Sequence, residues 1–232
     1  MFDFEWLTEY GMLLVEGLWV TVQLLLASAF FGFLLAGGVA LARLSKQPMV
    51  ALSALTFTQL IRGTPLLVQI FLLYYGLGSL FAEVPVIRES WLWPYLREGF
   101  WYIVLALVLS VGAYVGEVLR AGLKAVPRGE IEAARALGMP HILVIRRIWM
   151  PRAIHIMLPT LAGETVLLLK STALASTVAV SDLLGGANYV RAQTLITYEP
   201  LLTIAVIYMV LAWLIERGFR LLESRAPSRT QP

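Results

Sequence analysis

The chain has 232 residues, 59% of them apolar and only 14% charged, with a mean hydropathy of +0.78. So little polar surface excludes a soluble globule, and the long apolar blocks select an all-α integral membrane protein with about five transmembrane helices and no large soluble domain. The formal charge of +3 does not mark a nucleic-acid binder, because the basic residues alternate with apolar blocks, and the absence of cysteine excludes disulfides and thiolate chemistry.

The first span is expected over residues 18–42. Asp3, Glu5, Glu9 and Glu16 precede it, and Arg43 and Lys46 follow at once. A secretory signal carries positive charge before its apolar run, so this span is expected to stay in the mature protein. Its Gly32, Gly37 and Gly38 allow close helix packing. Residues 49–80 are apolar again but longer than one straight span needs, and Arg62-Gly63-Thr64-Pro65 divides them. The reading is a helical portion at the inner face, then a kinked or broken span through residues 66–76. Arg62 belongs near an interface or beside a partner, since a lone charge at mid-membrane costs roughly 2.5 to 3.5 kcal/mol.

Residues 81–99 read as an external loop whose Trp91, Trp93 and Tyr95, with Trp101 and Tyr102 just beyond, suit an interfacial aromatic belt. The third span is expected over residues 100–123, with Glu117 and Arg120 paired at i,i+3. Next comes a polar, basic segment over residues 125–151. A helix should begin after Pro127, stop at Gly138 and Pro140, and be followed by a second short helix over residues 142–149 ending before Pro151. This polar two-helix loop, which the resemblance below makes a coupling loop, lies between spans three and four. The fourth span is expected over residues 158–180, started by Pro159. An external stretch over residues 182–199 follows, made flexible by Gly185 and Gly186, then a last span over residues 200–215. Residues 1–225 thus form one transmembrane domain, and residues 226–232 a disordered tail.

Thirteen of the 18 basic residues fall on one side of this topology. The positive-inside rule places that side in the cytoplasm, with the N-terminus outside and the C-terminus inside. No phosphate-cradling Gly-x-x-x-x-Gly-Lys-Ser/Thr run occurs, and His141 and His155, the two histidines, have no acidic or cysteine constellation near them. Neither ATP hydrolysis, metal ligation nor covalent catalysis is expected of this chain. The unusual polar residues lie along the spans instead, which suits transport. Candidate path residues are Gln69, Glu164, Lys170, Ser171, Thr172 and Ser176. Gln69 has an alternative use in satisfying backbone. Lys170 suits a carboxylate and Glu164 an ammonium or basic side chain, but their six-residue spacing denies them a shared helix face.

Three stretches carry a family resemblance. Glu132-Ala133-Ala134-Arg135-Ala136-Leu137-Gly138, followed after nine residues by Ile148-Trp149-Met150-Pro151, resembles the signature loop of the membrane subunits of binding-protein-dependent ABC importers, with Met150 in place of the usual leucine. Arg62-Gly63-Thr64-Pro65-Leu66-Leu67-Val68-Gln69 and Leu167-Leu168-Leu169-Lys170-Ser171-Thr172-Ala173-Leu174 resemble the polar amino acid permeases among them. In the last stretch Ser171 stands where an acidic residue is common and Ala173 where serine is common. The resemblance implies a multi-pass permease subunit of a bacterial inner membrane that pairs with an identical or homologous permease. It implies a P-loop ATPase dimer that binds the ATP and magnesium, an external solute-binding protein, and a polar, basic amino acid substrate of the histidine, arginine, ornithine or opine kind. It assigns ATPase coupling to Glu132, Ala133, Ala134, Arg135 and Gly138. An ion-coupled secondary amino acid transporter is the competing reading.

Overall fold

The computed structural model describes residues 6–224; the expected tail from residue 226, and Asp3 and Glu5, lie outside them. Among the described residues five helices are long and apolar enough to cross a bilayer. These are α1 (Trp6–Arg43), α3 (Leu66–Glu83), α4 (Gly99–Ala125), α6 (His141–Val178) and α8 (Tyr198–Ser224). Shorter helices complete the fold: α2 (Pro48–Gly63) before α3, α5 (Arg128–Ala136) before α6, and α7 (Leu183–Thr194) before α8. The aromatic loop between α3 and α4 adds two single turns, Pro85–Arg88 and Trp93–Leu96, the second fixed by the Tyr102 hydroxyl donating to Leu96 O at 2.6 Å.

Apolar side chains gain nothing from leaving lipid for another helix, so bundles in a membrane rely on close approach. α1 and α4, the most extensively packed pair, meet through small residues. A Cβ on Gly32 would lie 2.6 Å from Val111, one on Gly112 2.5 Å from Leu35, and one on Gly116 2.9 Å from Val39. Around this seam Leu24, Ile103, Leu107 and Leu169 are fully buried.

Several expected boundaries are corrected. α1 starts at Trp6 rather than residue 18, so Glu9 and Glu16 are helical. Trp6 and Leu14 are buried against Leu183, Ala187 and Val190 of α7, which holds this polar-flecked stretch in the helix. At 38 residues α1 is about 57 Å long, well beyond a hydrocarbon layer of about 30 Å. α3 is broken from α2 at Thr64-Pro65, as expected, but continues to Glu83 through a wide π turn at Leu72–Leu77.

Pro151 does not end a helix, and Pro159 does not start one. A π turn at Ile145–Trp149, in which Met150 N–H reaches back to Ile145 O, gives room for the proline ring, so the second helix of the loop runs on as α6. Residues 182–199 are no flexible stretch. Gly185 and Gly186 sit in the first turn of α7, where a Cβ on Gly186 would touch Leu14 at 3.4 Å. Gly17 on α1 meets the same turn, its Cβ position 2.8 Å from Asp182 O. These glycines serve contact. α8, too, runs longer than the expected 200–215.

Candidate functional site

Glu164 and Ser171, seven residues apart on one face of α6, line a cavity of about 260 Å³ with Ser110 and Tyr114 of α4 and Leu66 of α3. Glu164 is half-buried and makes no hydrogen bond or close ion pair among the described residues. An ionisable side chain within a membrane-spanning helix is costly without a partner, which makes Glu164 a candidate binding group. Lys170 lies on the exposed outer face of α6, also without an ion pair among the described residues. The separation expected from their spacing is therefore observed.

The other candidates are used locally. Gln69 sits at the α2–α3 break, where Pro65 has no N–H and the last carbonyls of α2 lose their helical partners. Its amide nitrogen donates to Ile61 O at 2.7 Å, Thr64 O at 3.1 Å and the Thr64 hydroxyl at 2.8 Å. Gln69 thus holds the break closed and does not line the Glu164 cavity. Exchanging Gln69 for leucine is expected to cost about 0.5–1.5 kcal/mol by removing the partner of part-buried carbonyls. Unfolding of the purified protein in detergent measures it, and an unchanged midpoint would show the break holds itself.

Thr172 is fully buried and its hydroxyl returns to Leu169 O at 2.7 Å, while the Ser176 hydroxyl returns to Ala173 O at 2.9 Å. Near them lies a polar knot that sequence reading missed. Asp182 caps α7 by accepting from Gly185 N–H at 2.9 Å, the Tyr208 hydroxyl donates to its other oxygen at 3.5 Å, and Leu183 N–H donates to the Thr21 hydroxyl at 3.1 Å. Burial pushes the Asp182 carboxyl up from 3.8 to about 6, more than the hydrogen bonds from Gly185 and Leu184 lower it.

A carboxyl whose folded pKa lies above its unfolded value contributes stability that is fully present below the unfolded pKa and lost as pH rises through the folded one. Asp182 should therefore cost the fold up to about 3 kcal/mol as pH climbs from 4 to 7.5. Asparagine keeps the cap without the proton. Asp182→Asn is expected to flatten this dependence of the unfolding midpoint, and an equal slope in both proteins would place its origin elsewhere.

A second cavity, of about 410 Å³, lies between α1, α2 and α4, lined by Arg43, Thr58, Gln59, Arg62, Tyr114 and Glu117 among others. Glu117 is paired with Arg120 as expected, Nε to Oε2 at 2.7 Å. Arg43, at the end of α1, takes the other oxygen at 2.7 Å, a partner 74 residues away that spacing could not reveal. Arg62, in the last turn of α2, rests over the Tyr114 ring with its guanidinium carbon 5.1 Å from the ring centroid.

The loop between α4 and α6 is a compact knob. Gly138 adopts φ +79°, Met139 N–H reaches Ala134 O at 3.2 Å and Gly138 N–H reaches Arg135 O at 2.9 Å, which stops α5 in a left-handed turn. Trp149 donates its indole N–H to Leu123 O at 2.9 Å, and Glu130 pairs with Arg152 at 3.3 Å, so the knob is tied to the ends of α4 and α6. Glu132, Ala133, Arg135 and Gly138 are exposed, whereas Ala134 is buried against the chain itself. Leu137 and Ile142, which sequence reading did not single out, are 84% and 78% exposed. The fixed turn thus presents an exposed apolar tip in a charged surround.

Residues 18–226 match the family described as the inner membrane component of binding-protein-dependent transport systems. The chain belongs to this family. It is 40% identical over 222 residues to the octopine transport system permease protein OccM of Rhizobium radiobacter, spanning 96% of this chain and 89% of that protein. It is 36% identical to the histidine/lysine/arginine/ornithine transport system permease protein HisM of Escherichia coli K12, spanning 93% and 90%. A solved amino acid ABC transporter with histidines superposes with a TM-score of 0.82 at 34% identity, over 97% of this chain and 99% of that one. The MetNI methionine ABC transporter in an inward-facing conformation superposes at 0.74 with 18% identity, which speaks for the fold alone. The chain is accordingly a transport permease and not an enzyme, and the ion-coupled secondary transporter is set aside.

Proposed function

We propose that this permease carries polar, basic amino acids or opines inward, driven by ATP hydrolysed on a partner. The observation that carries the substrate class is Glu164, an unpaired carboxylate lining a cavity of about 260 Å³ among α3, α4 and α6. It is matched to a guanidinium, imidazolium or ammonium group, with Ser110 and Ser171 at hand for further hydrogen bonds. The named substrates of relatives, octopine and the histidine-to-ornithine group, are of this chemistry. Lys170, on the outer face of α6, is offered to a second permease subunit, identical or homologous, or to a carboxylate in the space between the two.

The end of the bundle bearing Arg43, Lys124 and the knob lies in the cytoplasm of a bacterial cell, the N-terminus outside and the C-terminus inside. There Glu132, Ala133, Arg135 and Gly138, with Leu137 at the tip, meet a P-loop ATPase dimer, which binds the ATP and magnesium. Ala134 supports this surface from beneath. A solute-binding protein delivers substrate to the aromatic-rich opposite end. The test is uptake by proteoliposomes holding the permease pair, ATPase and binding protein, with basic, neutral and acidic amino acids in parallel. ATP-dependent uptake of the basic ones supports the reading; preference for acidic ones overturns it.

A further inference from the structure

Arg62 and Glu164 form a charge and countercharge that do not touch. Arg62 lines the larger cavity, Glu164 the smaller, and Tyr114 walls both. The Arg62 guanidinium acts electrostatically on Glu164 while resting on the Tyr114 ring at 5.1 Å. Glu117, the other acid lining these cavities, already holds Arg43 and Arg120 and makes no claim on Arg62. Arg62 itself has no ion pair among the described residues. Its position is set by the last turn of α2, whose negative dipole end favours a cation, and the chain beyond turns sharply at Pro65. A long side chain thus stands beside a ring that holds cations weakly, within the electrostatic reach of a carboxylate that holds them strongly.

Resting on the assignment of Glu164 as the group that receives the substrate's cation, we propose that Arg62 is a tethered competitor for that same carboxylate. Its guanidinium exchanges between the face of Tyr114, where the structure holds it, and Glu164, which it neutralises on arrival. When a substrate guanidinium or ammonium takes the carboxylate, Arg62 withdraws to the face of Tyr114. Only a cationic substrate can displace it, so Arg62 sharpens the selection of charge. On release the tether competes for the carboxylate and helps to dislodge the departing cation.

The experiment measures binding of radiolabelled arginine to the purified transporter complex in lipid nanodiscs, with glutamine alongside. If Arg62 occupies Glu164 in about nine of ten empty molecules, Arg62→Gln tightens arginine binding about tenfold and leaves glutamine unchanged. Arginine turnover in proteoliposomes slows as release loses its competitor, and Arg62→Lys stays near wild type. Tyr114→Leu removes the resting place and weakens arginine binding several-fold, but has no further effect when Arg62 is already glutamine. Unchanged or weaker arginine binding by Arg62→Gln, or equal tightening for glutamine, overturns the proposal. If Arg62→Gln does not assemble, Tyr114→Leu decides, and tighter or unchanged binding there overturns it. Should Glu164→Gln bind arginine as wild type does, the Glu164 assignment fails instead.

Discussion

Replacing Gly138 by aspartate is expected to abolish ATP-driven uptake while leaving the permease assembled in the membrane. Gly138 stands at φ +79°, a region where an L side chain costs roughly 1–2 kcal/mol, and its turn aims Leu137 outward. No atom crowds the position, so the variant folds, but the turn must reopen or the carboxylate must project beside the tip. Coupling between distant sites is typically worth 1–3 kcal/mol, so even partial misplacement of the tip forfeits about 5- to 150-fold in transport. The measurement pairs uptake with ATP hydrolysis in proteoliposomes. Hydrolysis that continues without responding to loaded binding protein, beside lost uptake, is the expected pattern. Normal uptake with normal stimulation would deny the knob its role.

Glu164→Gln is expected to lower transport of arginine by about 10- to 100-fold and of glutamine hardly at all. The two side chains have nearly one shape, so packing is preserved and the charge alone is lost. A hydrogen bond to an ionised group contributes about 1.5–3 kcal/mol, which sets the size of the effect. Glu164→Asp keeps the charge but withdraws it by one methylene into a cavity of about 260 Å³, and should recover part of the rate. Competition assays at saturating binding protein separate this step from capture outside the membrane. Equal losses for arginine and glutamine would mean that Glu164 shapes the cavity without selecting charge.

What could be read from the sequence was what short-range chemistry decides. Pro65 must break a helix because it lacks a donor, and Gly138 must end one because it tolerates positive φ. Both features are where the sequence places them. The rotation between Glu164 and Lys170 follows from helix geometry in the same way. The errors arose where a distant segment settles the outcome. Residues 6–17 are helical because Trp6 and Leu14 find α7, and Gly185 and Gly186 look like a hinge until Leu13 and Leu14 are brought against Gly186. Arg43 reaches Glu117 across 74 residues. Pro151 misled for a subtler reason: its helix-breaking tendency is real, but a π turn just before it absorbs the distortion, and no residue pattern announced that turn.

The unbroken passage of α6 through Pro151 makes it a connecting rod. From His141, beside the knob, to Glu164 is about 35 Å of a single helix. A loop at Pro151 would have taken up the stroke as slack. A continuous helix instead joins the two ends, so on the roles proposed for the knob and for Glu164 a push at the tip would be felt at the carboxylate.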